Sequence, residues 1–310
     1  MAEILQQAIL GLTRGATYAL VALGYTMVYG IVQLINFAHG DVFMIGAFAG
    51  LAFVTYVLPH TGISNDMYLV ALPLTFAFSM LICASVGVVL ERFAYRPLRN
   101  APRLAPLITA LGASIVLEQA VRQFYPGGTR SPSFPPFGTP PLFPRGGFTL
   151  LSGKVTVTYL YLFIIAVAVA MMLALLLFIT RSRTGKAMRA SAQDRDAARL
   201  MGIDIDRIIL ITFIIGSSLA AVGGVLSGMF SGQINFFMGF EAGLKAFTAA
   251  VLGGIGNIRG AMIGGFLLGM VESVTGGLVG QQWEDIVSFS VLILVLVFRP
   301  TGLFGERVAV

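Results

Sequence analysis

Few residues in this sequence could do chemistry, and none of them forms a recognisable catalytic or metal-binding group. The single cysteine, Cys83, lies in an apolar run, so the sequence supports neither a disulfide nor a thiol or zinc site. A phosphate-binding loop needs Ser or Thr after its Gly-Lys pair, but neither Gly153-Lys154 nor Gly185-Lys186 is followed by one. Gly40-Asp41 lacks the wider Gly-x-Gly-Asp pattern of aspartyl membrane proteases, and His-Glu-x-x-His does not occur. We therefore expect no catalysis by this chain.

A short pattern of polar and aromatic residues occurs twice, about two hundred positions apart. The first copy contains Asn36, Phe37, His39 and Asp41. The second copy contains Gln233, Asn235, Phe236 and Glu241. Two such copies on opposite sides of a membrane are typical of inverted repeats whose broken helices line a central passage. The alternative is a pair of loop turns, in which each carboxylate begins the next helix near its positive dipole end.

A basic stretch, residues 181–207, carries the second candidate site. Ser191 with Asp194 three positions later predicts a helix N-terminus, and Gly202 predicts its end. The apolar residues of this short helix are Ala197, Ala198, Leu200 and Met201, and the surrounding cations are Arg189, Arg195 and Arg199. Small residues ringed by charge suit docking into a groove on a partner protein. The alternative is a helix that lies on the anionic inner leaflet of a membrane.

Long apolar elements must position both sites. The chain has 310 residues, of which 57% are hydrophobic and 11% charged, so a bilayer is its expected solvent. Eight apolar blocks lie at about 5–31, 41–58, 67–90, 104–124, 156–180, 208–231, 240–271 and 284–298. The seventh is long enough to break near Asn257–Gly260. The pattern predicts an all-α fold: one polytopic transmembrane helix bundle over residues 1–310, with eight or nine crossings, inverted repeats and discontinuous helices.

Basic residues in the short loops predict the orientation of the bundle. The loop after the third block, the 181–207 loop and the C-terminal tail are basic and are expected in the cytoplasm, which places the N-terminus outside. The net charge of +6 therefore indicates membrane orientation and not nucleic-acid binding. A proline-rich segment, about 125–155, is expected outside, either as an irregular connector or as a ledge for a delivery protein.

Glycines and ionisable residues inside the blocks complete the predictions from residue type. Glycines four positions apart, such as Gly46 and Gly50, predict close helix packing. Two ionisable pairs, Glu118 with Arg122 and Glu241 with Lys245, are spaced as local helix pairs. No block shows a chain of buried carboxylates or histidines, which argues against transport driven by protons or sodium.

Several segments give the chain a family resemblance. They are Thr17–Leu20, Gly24–Gly30, Ile35–Gly40, Glu91–Pro97, the 181–207 loop and Lys245–Gly256. In these segments the sequence resembles the permeases of the high-affinity branched-chain amino acid ABC importers, whose relatives include urea and short-chain amide importers. The resemblance covers nearly the whole chain.

The resemblance implies partners and a division of labour. The 181–207 loop would be a coupling helix seated on an ATPase. The complex would contain a second related permease, two cytoplasmic ATPases and a periplasmic or extracellular solute-binding protein, in a bacterial inner membrane. ATP and magnesium would bind the ATPases, and this chain would need no cofactor. Branched-chain amino acids are the expected substrates. Urea or short-chain amides are the alternative, followed by a passive channel for small solutes and an intramembrane enzyme.

Overall fold

The computed structural model describes residues 2–61, 68–99, 101–102, 104–134, 146–150, 153 and 155–305. Within this part of the chain eight helices are long and apolar enough to cross a membrane. The all-α prediction is confirmed, with the addition of one short antiparallel hairpin, in which Gly147 pairs with Thr158 and Leu150 with Val155. Residues 135–145, 151, 152 and 154 of the proline-rich segment lie outside the described residues.

The described helices follow one another along the chain, with the short hairpin between the fourth and fifth of them. The α-helices are α1 (Ala2–Val32), α2 (His39–Ala52), α3 (Tyr68–Val89), α4 (Leu104–Phe124), α5 (Tyr159–Arg181), α6 (Arg183–Gln193), α7 (Arg195–Leu200), α8 (Ile205–Ser231), α9 (Met238–Gly253), α10 (Ile258–Leu278) and α11 (Glu284–Phe298). Helix α2 continues through Phe53–Val57 and Leu58–His60, and α3 through Leu90–Tyr95 and Arg96–Leu98. The strands are β1 (Gly147–Leu150) and β2 (Val155–Thr158).

Helices α1–α4 and α8–α11 form two repeats of opposite direction. The first helix of each repeat packs against the third helix of the other, α1 on α10 and α8 on α3. Helices α1 and α8 are antiparallel, because Gly24 lies beside Gly216 while Thr17 lies beside Gly223. The inverted repeats predicted from the paired pattern are therefore present.

The two ends of the bundle differ in charge. At one end Arg99 pairs with both Glu91 and Asp206, which joins the loop after α3 to the start of α8. The C-terminal segment reaches the same end, where the Leu303 amide donates to the Leu252 carbonyl. At the opposite end β2 lies beside the start of α1, and the Gln6 side chain accepts a bond from the Thr156 amide. The basic loops thus share one end, as their composition predicts.

The seventh apolar block is divided in two, as its glycine content predicts. Helix α9 ends at Gly253, and Asn257 caps α10 by accepting a 3.0 Å hydrogen bond from the Gly260 amide. Because α9 has 16 residues, it reaches only about 24 Å. The chain passes between the two ends nine times: eight times through the long helices, and once through α9 with the extended turn before it.

Glycine and alanine allow the helices at the centre to approach closely. A methyl group on Gly46 would lie 2.5 Å from the Ala221 Cα atom, and one on Gly50 would lie 2.7 Å from the Val225 side chain. Apolar side chains gain little by leaving lipid, so contact between backbones is what holds such helices together. The predicted role of these glycines in packing is confirmed, and the contacts show that α2 and α8 run parallel.

Candidate functional site

The two copies of the sequence pattern form matching breaks in the helices. Turn 33–38 joins α1 to α2, and turn 232–237 joins α8 to α9. Each begins with a left-handed residue, Gln33 at φ +56° and Gly232 at φ +70°. Measured from these residues, the Asn-Phe pairs occupy the same places in both turns, 199 positions apart.

The N-termini of the half-helices α2 and α9 meet inside the bundle. A methyl group on Gly40 would lie 2.7 Å from the Gly243 Cα atom and closer still to the Gly239 carbonyl oxygen. Gly40 and Gly239 are equivalent residues of the two repeats, so the contact joins corresponding parts. The His39 ring at the start of α2 lies beside Gly216, about 16 Å along α8 from its beginning. Helix α2 therefore begins within the length of the bundle and not at its end.

The first turn is enclosed by the rest of the chain. Asn36 is 2% exposed, and its side-chain oxygen accepts a 2.8 Å hydrogen bond from the Tyr95 hydroxyl. His39 packs edge-on against Tyr25, with ring centroids 5.0 Å apart. The Phe37 ring packs against the Phe247 ring of α9, with ring centroids 6.0 Å apart. These contacts bring the predicted residues of the first copy together around the junction of the half-helices.

The second turn lies at the opposite, outer rim. Gln233 pairs with Ser133 in an isolated antiparallel bridge. The Asn235 side-chain oxygen accepts a 2.9 Å bond from the Phe237 amide, which stabilises the turn locally. Phe236 lies 5.3 Å below the Arg122 guanidinium, a cation–π contact. The second copy therefore helps to shape the outer end of the structure.

The two acidic residues of the pattern are not equivalent. Asp41 is the third residue of α2 and is buried, whereas Glu241 is the fourth residue of α9 and is exposed. A shift of one residue turns a helical side chain by about 100°. Asp41 follows Asn36 by five positions and Glu241 follows Asn235 by six. This one-residue difference in spacing places the two carboxylates on different faces of their helices.

A small cavity adjoins the junction of the half-helices. Its volume is ≈ 10 Å³, about enough for one water molecule, it is partly open to the surface, and it is lined by Tyr25, Phe37, Leu111, Ser114, Phe240, Gly243 and Leu244. Its walls are mainly apolar, and its polar edges are the Tyr25 and Ser114 hydroxyl groups. Ser114 also faces Asp41. An aliphatic group with a polar end matches this lining.

The prediction of a local pair between Glu241 and Lys245 is wrong. The Lys245 Nζ atom lies 2.5 Å from a Glu272 oxygen of α10 and 2.8 Å from an Asp285 oxygen of α11. Because Glu272 is 1% exposed, Lys245 neutralises a buried charge. The pairing also holds α9 against the other helices of its repeat.

Arg14 of α1 extends this ion network to the first repeat. It lies 2.7 Å from Glu284 and 3.9 Å from Glu272. The network joins the two repeats through one buried carboxylate, Glu272, which is paired with cations. Glu272 lies immediately after the seventh predicted block, and a lone carboxylate at a membrane helix is the signal that could have revealed the network.

The basic stretch forms two helices, and the prediction of one helix capped by Ser191 is wrong. Helix α6 is capped by Ser182, whose hydroxyl oxygen accepts a 2.8 Å bond from the Gly185 amide. Ser191 lies inside α6 and donates to the Ala187 carbonyl. A serine hydroxyl can bond to the preceding turn as readily as it caps a helix, so spacing alone did not separate the two cases.

Asp194 ends α6 and begins α7. Its carboxylate accepts 2.9 Å hydrogen bonds from the Asp196 and Ala197 amides. Gly202 ends α7, as predicted: it adopts φ +80° and its amide donates to the Arg199 carbonyl. This left-handed glycine stop fixes the loop that leads into α8.

The exposed apolar surface of α7 contains fewer residues than predicted. Ala198 is 4% exposed and packs within the chain, so it does not belong to a docking face. Leu200 and Met201 are 89% and 82% exposed at the tip of the loop. Ala197, Arg189 and Arg199 are also exposed. We call Leu200 and Met201 the apolar tip.

Arg195 connects this loop to the first repeat. Its guanidinium donates two hydrogen bonds to the Ile31 carbonyl near the end of α1, and the bond from Nε is 2.9 Å long. Burial, together with the neighbouring cations Arg99 and Arg199, lowers the pKa of Arg195. The arginine therefore acts as a structural connection more than as part of an exposed ring of charge.

Inverted repeats with broken helices that meet inside the bundle define a membrane transport protein of the permease class. The family described as "branched-chain amino acid transport system / permease component" matches residues 7–296. The chain belongs to this family. It is a multi-pass membrane protein.

Three relatives illustrate the range of the similarity. BraD of Pseudomonas aeruginosa, a high-affinity branched-chain amino acid transport system permease protein, is 47% identical over 305 residues, covering 97% of this chain and 96% of the relative. LivH of Escherichia coli K12, of the same description, is 46% identical over 312 residues, with the same coverage. A probable branched-chain amino acid permease, LivH of Methanocaldococcus jannaschii, is 26% identical over 304 residues, covering 92% and 88%.

Proposed function

We propose that this chain is a membrane-spanning subunit of an ATP-driven importer that carries branched-chain or related aliphatic amino acids into the cytoplasm of a bacterium. The observation that carries the proposal is the meeting of α2 and α9 at Gly40 and Gly239, beside an apolar cavity. Half-helices that meet between inverted repeats are the usual setting of a transport site. The substrate is proposed from the names of the similar permeases.

The pathway is proposed to pass the first turn and to open at the second. Asn36, Phe37, His39 and Asp41 surround the junction, and the rim is formed by Gln233, Asn235, Phe236 and Glu241. Burial of the first group suits contact with a dehydrated substrate. Exposure of the second group, with Ser133 beside Gln233 at the same end, suits delivery by a soluble binding protein.

Energy is proposed to come from partner ATPases that dock at the apolar tip. Leu200 and Met201 are almost fully exposed at the basic end of the bundle, where large apolar residues favour contact with another protein. The complex would also contain a second related permease. ATP and magnesium would bind the ATPase subunits, and no cofactor is proposed for this chain.

The test replaces the apolar tip by Leu200→Glu with Met201→Glu. Each carboxylate would be buried unpaired in a packed contact at a cost of about 3 kcal/mol or more, a factor above about one hundred in affinity. In membranes that hold the whole complex, subunit level should be unchanged, while ATPase co-purification and ATP-driven leucine uptake are lost together. Leu200→Ile with Met201→Leu is the matched control and should preserve both.

A different result would favour the passive channel. Leucine uptake that continues after the ATPases no longer co-purify would remove the importer from consideration. Ala198→Glu is not a substitute for this test, because Ala198 is buried and its replacement would destabilise the subunit itself.

A further inference from the structure

We propose that Asp41 binds the α-ammonium group of the transported amino acid at the junction of α2 and α9. The inference rests on the proposed function and specifies the chemistry of that site. It starts from a comparison of the three carboxylates that are buried in the described part of the chain: Asp41, Glu91 and Glu272.

Asp41 is the exception among these buried carboxylates. Glu91 pairs with Arg99, and Glu272 pairs with Lys245. Asp41 is 1% exposed, and in the described chain no ion pair reaches it. The donors near its carboxylate are the Ser114 hydroxyl and its own amide, and neither forms a hydrogen bond of ordinary geometry with it. A carboxylate in a membrane protein normally has a cation or donor beside it. Its missing partner is therefore expected from a ligand.

Stabilisation of α2 does not account for Asp41. A carboxylate in the first turn can favour a helix by bonding to free amides at its N-terminus. In the described structure neither oxygen accepts a bond from the amide of another residue, and only the residue's own amide lies near the carboxylate. The residue points instead toward α9, where a methyl group on Gly239 would lie 2.8 Å from Asp41 Oδ1.

The charged neighbours of Asp41 also favour a cation. Glu118 of α4 faces it and is a like charge. The nearest turn of α4 carries Arg122, but this arginine lies over the Phe236 ring. Two neighbouring carboxylates attract a positively charged group, and an ammonium would neutralise the buried one.

The residues beside Asp41 match the remainder of an aliphatic amino acid in chemistry, and the ≈ 10 Å³ space must widen to admit it. Phe37, Leu111 and Leu244 provide apolar walls beside Ser114, which faces Asp41. The N-terminus of α9, the positive end of its dipole, meets Asp41 through Gly239. A zwitterion at this junction would have each charge next to a group of opposite sign. Urea and simple amides carry no ammonium and would leave Asp41 unpaired.

The experiment measures initial rates of radiolabelled leucine uptake by the complete importer in proteoliposomes. Asp41→Asn keeps the size of the side chain and its suitability for a helix N-terminus, but removes the charge. Uptake should fall at least about tenfold, while subunit level and complex assembly are retained. Asp41→Glu should restore part of the uptake. Glu3→Gln, at an exposed carboxylate near the N-terminus, controls for net charge.

A ligand comparison adds a measurement that a structural role would not change. Saturating leucine should raise the thermal stability of the solubilised permease–ATPase complex, assayed without its binding protein. The oxo acid 4-methyl-2-oxopentanoate has the same side chain and carboxylate but no ammonium, and it should not. The Asp41→Asn complex should respond to neither.

Several results would overturn the assignment. Wild-type uptake by Asp41→Asn, or equal stabilisation by the oxo acid and leucine, would exclude an ammonium contact. A loss of folded subunit in proportion to uptake would show a structural role instead. Absence of ATP-driven leucine uptake by the wild-type complex would remove the proposed function as well, whereas the other results remove only the assignment of Asp41.

Discussion

Half-helices α2 and α9 occupy equivalent places in the two repeats but are held by different interactions. Helix α2 is fixed by backbone contacts, as at Gly46 against Ala221, and no ion pair of the described residues involves it. Helix α9 packs closely on α10 near Gly253 but is also tied by Lys245 to Glu272 and Asp285. The repeated turn therefore determines where each helix breaks. The helices packed around it determine which interactions hold the half-helix in place.

The largest expected effect comes from removing the ionic attachment of α9. Lys245→Met leaves Glu272 buried, with Arg14 at 3.9 Å as its nearest remaining cation. Loss of one partner from a buried pair costs about 3–5 kcal/mol of unfolding free energy. Thermal unfolding of the purified subunit in detergent would measure the loss.

A double variant checks that this loss comes from the charge. Lys245→Met with Glu272→Leu removes both partners and should recover most of the stability, because an apolar pair of similar size can replace a buried ion pair. A Lys245→Met subunit as stable as the wild type would mean that α9 is held by packing alone, as α2 is.

The next effect concerns the contact that the two half-helices share. Gly40→Ala would place a methyl group 2.7 Å from the Gly243 Cα atom, so one backbone must move. Overpacking of this kind costs about 1–3 kcal/mol, and leucine uptake should be lost even where folded subunit remains. Gly112 lies on the exposed side of α4, and a methyl group there would have no atom within 4 Å. Gly112→Ala should therefore leave leucine uptake unchanged. Normal uptake by Gly40→Ala would contradict the close junction.

The smallest effect concerns the residues that begin the two turns. Gln33 and Gly232 share a left-handed conformation, which costs a residue with a side chain about 1–2 kcal/mol. Gln33→Gly should therefore leave stability unchanged or raise it slightly, since glycine also loses more entropy on folding. Gly232→Gln should lower stability by about 1 kcal/mol, and Gly232→Asn by less. If Gly232→Gln and Gly232→Asn both unfold at the wild-type temperature, the two turns are not equivalent.

The long helices and the break after Gly253 were predictable from the sequence because they follow from local rules. A backbone in lipid must satisfy its own hydrogen bonds, so an apolar run of about 20 residues predicts a helix. The glycines near Asn257 interrupt that run, and the basic loops predict a common end. These properties depend on residues close together in the chain.

The ion network and the burial of individual residues could not be predicted in the same way. Lys245 and Glu272 are 27 positions apart and meet only because α9 and α10 pack together. Ala198 and Leu200 are both apolar residues of one short helix, but the neighbouring helices cover the first and leave the second exposed. Tertiary packing therefore buries one of these two apolar residues and leaves the other exposed.

The hydrogen bonds from Arg195 to the Ile31 carbonyl have a mechanical consequence. Ile31 is next to the last residue of α1, and Asn36 follows only five positions later. The Arg195 contact is therefore separated from the first turn by only a few residues of the chain. A displacement of the loop must either break these bonds or pull the end of α1 along. The basic face of the subunit is thus connected to the junction of the half-helices through the end of α1.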